Sequence, residues 1–215
     1  MPFQQPLMTL LEGKWFSDKD VSVTELFGPL FTVWTPKGRR SHHYEMFTNT
    51  HAFQAAIKFA MQKGAAHTIY IAAHGDADGL QGFHGEGISR TVIRNSLNQK
   101  GTKKHGVYFG SCLFCTETNA LYILKTCGRI QWIAGYTTEV DWIDSSALDL
   151  EFLRHFLFPS PGKGTAKPKT ENEQLRYAVN RIRQDMGALA SRLKFHVYVR
   201  SRGKGVPVDL MLDAG

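Results

Sequence analysis

Apolar positions along this chain switch repeatedly between two periods: short unbroken runs of Ile, Val, Tyr and Phe, and longer stretches with apolar residues every three or four positions. The short runs, bounded by turn residues, predict strands at 7–16 (with its flank), 31–34, 68–73, 107–109, 130–135 and 195–199. The longer stretches predict helices starting at 22 and spanning about 50–63, 89–97, 116–125, 143–158 and 171–192. Local signals support several boundaries. Ser22 with Glu25 has the spacing of a capping box, and Thr48-Asn49-Thr50 offers caps to a helix carrying Phe53, Ile57 and Ala60, stopped by Gly64. Ser89 caps a helix with Val92, Ile93 and Leu97 on one face. Thr35-Pro36-Lys37-Gly38 closes the 31–34 run, and Leu80-Gln81-Gly82-Phe83 suggests a hairpin edge in a glycine-rich stretch. Such alternation of strand and helix predicts an α/β fold, a mostly parallel central sheet with helices on both faces, formed by residues 1–215 as one domain.

Composition narrows the class. A chain of 215 residues buries a sufficient core without metal or disulfide. No apolar stretch approaches the roughly 18 residues of a membrane span. Met1-Pro2-Phe3-Gln4-Gln5-Pro6 lacks a basic region followed by an apolar one. The three cysteines, an odd number, fit a reducing compartment. A cytoplasmic protein without membrane attachment is therefore expected. The net charge of +7 permits nucleic-acid binding. However, Arg176, Arg181, Arg183, Arg192, Lys194, Arg200, Arg202 and Lys204 recur without interleaved aromatics, which favours a solvated basic face.

Two strand ends carry the chemistry. The run Thr68-Ile69-Tyr70-Ile71-Ala72-Ala73 stops at His74-Gly75, and Val107-Tyr108-Phe109 stops at Gly110-Ser111-Cys112 ahead of a helix. If these strands are parallel neighbours, an imidazole and a thiol share the edge where open α/β sheets place ligands. That is the pairing of a cysteine nucleophile with a histidine base. Gly75 lets the chain turn sharply and exposes a bare N–H, and a following helix N-terminus favours negative charge on Cys112.

The same residues resemble the caspase-like (clan CD) cysteine peptidases, and within them the CHAT branch. Ile69 to Gly75 and Val107 to Cys112 match the family's two strand ends; Trp132-Ile133-Ala134-Gly135-Tyr136, Asp141-Trp142-Ile143-Asp144 and Phe152-Leu153-Arg154-His155-Phe156 extend the match, which covers about 66–158. The resemblance implies a caspase-like three-layer sandwich and a cysteine endopeptidase acting on protein or peptide substrates, with no cofactor and no metal. It implies His74 and Cys112 as the catalytic pair, with the Gly75 and Cys112 N–H groups as oxyanion donors. It also implies a substrate pocket in which Asp141 and Asp144 favour a basic P1 side chain and Trp142 forms a wall. Asp144 ahead of Ser145-Ser146 also reads as an ordinary helix cap, and Trp142 as a core residue. The family further suggests an activating or regulatory protein partner, or self-cleavage in the basic loop 159–169, where Lys163, Lys167 and Lys169 stand.

Competing readings remain in the residues. Cys112-Leu113-Phe114-Cys115 is a CxxC at a strand-to-helix junction, as in thiol-disulfide redox proteins, but lacks their Trp-Cys-Gly-Pro-Cys pattern. His84 in Gly82-Phe83-His84-Gly85 is a second candidate base. A zinc site from His74, His84, Cys112 and Cys115 lacks a second ligand pair at metal spacing. A catalytically inactive caspase-like binding module is the non-enzymatic alternative.

Overall fold

The computed structural model describes residues 6–13, 22–35, 42–62, 66–162, 164–201 and 206–213. Its strands are β1 (Met8–Gly13), β2 (His42–Phe47), β3 (Thr68–Ala72), β4 (Gly79–Gln81), β5 (Gly87–Ser89), β6 (His105–Gly110), β7 (Ile130–Tyr136), β8 (Phe195–Val199) and β9 (Val208–Asp209). Its helices are α1 (Val23–Trp34), α2 (Thr50–Ala60), α3 (Arg90–Leu97), α4 (Glu117–Thr126), α5 (Trp142–Leu157) and α6 (Glu171–Arg192). Seven strands form one sheet in the order β2-β1-β3-β6-β7-β8-β9. The first five are mutually parallel, β8 is antiparallel to β7, and β9 is antiparallel to β8. β4 and β5 make a separate hairpin.

Side-chain alternation on the central strands splits the core in two. Tyr70, Tyr108 and Trp132 face one side, packed against Phe27 of α1, Phe152 of α5 and Ile182 of α6. Ile69, Ile71, Val107 and Phe109 face the other, packed against Phe53 of α2, Ile93 of α3 and Ile123 of α4. The result is the three-layer α/β sandwich expected from the alternating pattern, with a mostly parallel sheet in the middle.

Several local expectations are corrected. Residues 31–34 continue α1 through Pro29 and do not form a strand. Leu30 and Phe31 are buried in the same cluster as Val23 and Phe27, so tertiary packing carries the helix past Pro29. The Ser22-Glu25 pair makes no reciprocal box. Ser22 Oγ accepts from Thr24 N–H and donates to Glu12 Oε2 at 2.6 Å, while Val23 N–H donates to Glu12 Oε1 at 2.9 Å. The fully buried Glu12 of β1 thus supplies a side-chain cap of α1. Strand β2, His-His-Tyr-Glu-Met-Phe, escapes the apolar pattern because it is an outer strand and largely half-buried. Residues 14–16, Pro36-Lys37-Gly38, Gly64, Lys163, Arg202 and Lys204 lie outside the described residues. No helix among the described residues is long and apolar enough to cross a membrane.

One close approach locks the middle of the sheet. Gly106 of β6 pairs with Trp132 of β7, and a Cβ there would fall 1.8 Å from the indole ring. Gly106→Ala is expected to destabilise the fold by about 2 kcal/mol or more through overpacking. Urea unfolding should show a lowered midpoint; an unchanged midpoint would mean that the Trp132 ring repacks freely.

Candidate active site

The register between β3 and β6 fixes the geometry of the two strand ends. Ala72 pairs with Gly110 in a parallel ladder, so His74 and Cys112 each lie two residues beyond the last paired positions, on the same edge. Both line one cavity of about 160 Å³, together with Tyr70, Ser111, Trp142 and Asp149. His74 is exposed at the rim and Cys112 is half-buried. The two residues singled out in the sequence thus line one crevice.

The loop after β3 is braced from several sides. Asp76 N–H donates to Gly79 O and Gln81 N–H to His74 O, so the bridge between Gly75 and Leu80 uses the neighbouring amides and not that of Gly75. Asp76 Oδ1 accepts from the N–H groups of Asp78 and Gly79. The buried Asn119 of α4 donates to Ala77 O and Phe114 O, tying the histidine loop to the cysteine loop. Gly75 is needed for close approach: a Cβ there would lie 3.0 Å from the Cys112 carbonyl oxygen.

The surroundings of the thiol differ from expectation in one respect. α4 begins only at Glu117 with Thr116 as its cap, so its N-terminus does not meet Cys112. Between them, Phe114 N–H donates to Cys112 O and Thr116 N–H to Phe114 O, two successive γ-turns, with Leu113 at φ +60°. The backbone group at the sulfur comes from α5 instead. Val140 N–H, just outside the N-terminus of α5, donates to Cys112 Sγ at 3.4 Å, and Val140 O lies 3.9 Å from the same sulfur. A donor aimed at sulfur is of the kind that strengthens when sulfur becomes anionic.

Of the pocket residues expected from sequence, Trp142 lines the cavity, whereas Asp141 and Asp144 stand outside its lining. Asp141 caps α5, accepting from Ile143 N–H and Asp144 N–H. Asp144 pairs with Arg192 of α6 at 2.7 Å. The carboxylate that does line the cavity is Asp149, two turns into α5 and 2 % exposed. It accepts from the hydroxyls of Tyr70 (2.5 Å), Tyr108 and Tyr136, one from each of three adjacent strands. Burial pushes its pKa up to about 6 against the pull of those three donors, and burial with the neighbouring carboxylate pushes all three phenols well above their ordinary range. A signal for this cluster existed in the sequence: tyrosines within apolar strands need a partner for the buried hydroxyl.

The competing chemistries find less support. Cys115 is fully buried and its thiol is pushed far up by desolvation, which makes it a poor redox partner for Cys112. His84 sits at positive φ on an exposed turn against Phe83, away from the cavity lining. Among the described residues one group could chelate a metal, Glu151, His155 and Asp185, and it does not include His74 or the cysteines. Arg154 already bonds Glu151 and His155, and Arg181 pairs with Asp185 at 2.6 Å, so guanidinium groups occupy that charge. A larger cleft of about 790 Å³, lined by Lys104, Gln131, Thr170 and Arg200, opens at the opposite ends of the parallel strands and holds neither His74 nor Cys112.

Among solved structures, the chain is similar to a secreted C11 cysteine protease from Bacteroides thetaiotaomicron in complex with an irreversible peptide inhibitor, with a TM-score of 0.54 at 9 % identity over 89 % of this chain and 65 % of that one. The fold is caspase-like. A second structure of a secreted C11 cysteine protease from the same organism, called iotapain, gives a TM-score of 0.44 at 14 % identity, covering 65 % of this chain and 54 % of that one. The chain thus spans about two thirds or less of the length of the proteins it matches. No protein-family model matches the sequence, and no curated protein matches it. At 9 % identity the first likeness establishes the caspase-like architecture and leaves the chemistry to the site itself.

The buried carboxylate has a measurable consequence for stability. Because the folded pKa of Asp149 is about 6 against an ordinary 3.8, the folded state holds the proton more tightly than the unfolded chain. Its contribution is therefore least costly in acid and becomes more destabilising as pH rises from about 4 to about 6. Relative to Asp149→Asn, wild type should lose on the order of 3 kcal/mol across that window and change little above it. Denaturant unfolding of both proteins at several pH values tests this; a parallel pair of curves would refute the shift.

Proposed function

We propose that the chain is a cysteine endopeptidase in which Cys112 is the nucleophile and His74 the general base, acting as a single caspase-like unit. The observation that carries the reading is the register of β3 with β6, which supports an imidazole and a thiol opening on one cavity beside a backbone donor from Val140. Cys112 Sγ attacks the scissile carbonyl as its proton passes to His74, which then protonates the leaving amine. Water hydrolyses the resulting thioester, with His74 again accepting a proton. The Gly75 and Cys112 N–H groups are suited to receive the developing oxyanion, each such donor contributing about 3 to 4 kcal/mol in the transition state. The substrate is a protein or peptide, cleaved after a basic residue, with a carboxylate in the cavity as the recognising group. A CHAT-like placement, a cytoplasmic setting and control by an activating protein or by cleavage in 159–169 belong to the same proposal. Burial of Cys115 favours the peptidase reading over the CxxC redox one.

Replacing Cys112 by Ala should abolish peptide cleavage while leaving the melting temperature nearly unchanged, and His74→Ala should lower kcat by about 100-fold or more. Cys115→Ala should keep most activity. Iodoacetamide should alkylate Cys112 far faster than the buried Cys115 and Cys127, followed by mass spectrometry. Equal loss of activity in the two cysteine variants would favour redox chemistry, and uniform alkylation would favour a binding module.

A further inference from the structure

The loop that carries His74 lies open to solvent, so hydrogen bonds more than packing set its place beside Cys112. His74, Asp76, Ala77 and Asp78 are all exposed. The hairpin bonds, Asp76 N–H to Gly79 O and Gln81 N–H to His74 O, fix the shape of the loop but join it to itself. Arg90 N–H holds Asp78 O at 2.7 Å from the α3 side. On the cysteine side the tether is Asn119 of α4, 2 % exposed, whose Nδ2 donates to Ala77 O and to Phe114 O, each at 2.9 Å. Phe114, two residues past Cys112, is itself anchored by its ring against Phe109, 4.7 Å between centroids. Both acceptors are carbonyls, so the amide presents its nitrogen to them, and the buried Oδ1 has no hydrogen-bond partner among the described residues. An unmatched buried acceptor costs stability, so packing alone does not call for asparagine here.

We propose that Asn119 is a positioning residue for the peptidase reaction, its two amide hydrogens setting the separation of His74 from Cys112. This rests on the peptidase reading above and names a residue outside the cavity lining on which the rate depends. The two loops meet with no side chain between them at Gly75, where a Cβ would lie 3.0 Å from Cys112 O and 3.2 Å from Ser111 Cβ. A drift of one loop against the other is therefore passed directly to the base and the nucleophile. A misplacement of about 1 Å there costs on the order of 100-fold in rate. Asn119 makes no contact with a reacting atom and acts through the two loops. Its own place is fixed by α4, at whose start its N–H donates to Thr116 Oγ1 at 3.2 Å. A side chain borne on a helix is a firmer reference than either loop.

The test compares wild type with Asn119→Leu, which keeps the branched shape and loses both donors, each as the full chain. On fluorescein-labelled casein, kcat should fall about 100-fold while KM stays within about threefold. A second measurement needs no turnover: the rate of Cys112 alkylation by iodoacetamide as a function of pH. An imidazole beside a thiol adds a step to that profile, and His74→Ala should remove it. Asn119→Leu should remove the same step while Cys112 is still alkylated. A purely architectural residue would lower the melting temperature and, below it, leave kcat and the step as in wild type; that result overturns the proposal. A fall in kcat with the step retained overturns it as well, since the pair would still be in place, and so does a wild-type profile with no step due to His74. Should Asn119→Leu not fold, Asn119→Ser, smaller and with one short donor, is judged by the same two measurements. A step present in wild type and lost in Asn119→Leu, with no cleavage of casein by wild type, would remove the peptidase reading and keep the tether. Cleavage abolished by Cys112→Ala but undiminished in Asn119→Leu would do the reverse.

Discussion

A single buried carboxylate ties the sheet to its covering helix and forms the floor of the candidate site. Asp149 reaches from α5 onto a row of three phenols contributed by β3, β6 and β7, the three central strands of the site. Tyr70 and Tyr108 are register partners, and Tyr136 stands on the same face two residues past the partner of Tyr108, Ala134. Every hydroxyl in that row needs an acceptor because each ring is buried in the core. The carboxylate satisfies all three at once, which fixes the azimuth of α5 over the sheet. That azimuth brings Val140 N–H, at the entry to α5, onto the sulfur of Cys112. The position of Cys112 and the shape of its pocket thus depend on one polar cluster between α5 and the sheet.

The other half of the site depends mainly on backbone. Parallel pairing carries β3 and β6 to a common edge, and from there the chain must turn twice in close quarters. On the histidine side a glycine accepts the near contact with the Cys112 carbonyl; on the cysteine side Leu113 takes positive φ. Such conformations cost about 1–3 kcal/mol in residues with side chains and persist where surroundings enforce them. Here the enforcement is visible: Leu113 N–H donates to Thr138 O, Cys115 N–H to Tyr136 O, and Asn119 bridges the two loops.

What could be read from sequence, and what could not, follows from where each signal originates. The strand ends at His74 and Cys112 were legible because an apolar run ending in a reactive residue and a glycine is a local pattern. The helix caps at Asn49 and Ser89 are local too, and the structure has them as side-chain acceptors. The run 31–34 misled because three apolar residues in four fit either period, and only the packing of Phe31 against Phe27, itself set against Tyr70, decides. Strand β2 was silent because an outer strand needs few apolar residues. The antiparallel sense of β8 was equally silent, since a short apolar strand carries no mark of direction.

The acidic residues show most clearly why local reading stops short of the pocket. Asp141, Asp144 and Asp149 lie on or beside the same helix, and sequence favours the first two because they stand nearest the preceding strand. Helical geometry reverses that order. Residues at the start of α5 face its own unpaired N–H groups and the solvent, where capping and the Arg192 pair use their charge. Only two turns in does the helix lie flat enough on the sheet for a carboxylate to point into the layer between them. A buried carboxylate there costs stability that an apolar residue of similar size would not. The three phenols offset part of that cost by hydrogen bonding but bring no positive charge. The resulting contact, a buried carboxylate held by hydroxyls alone in the cavity that Cys112 also lines, couples the placement of α5 to the strand ends that carry the candidate site.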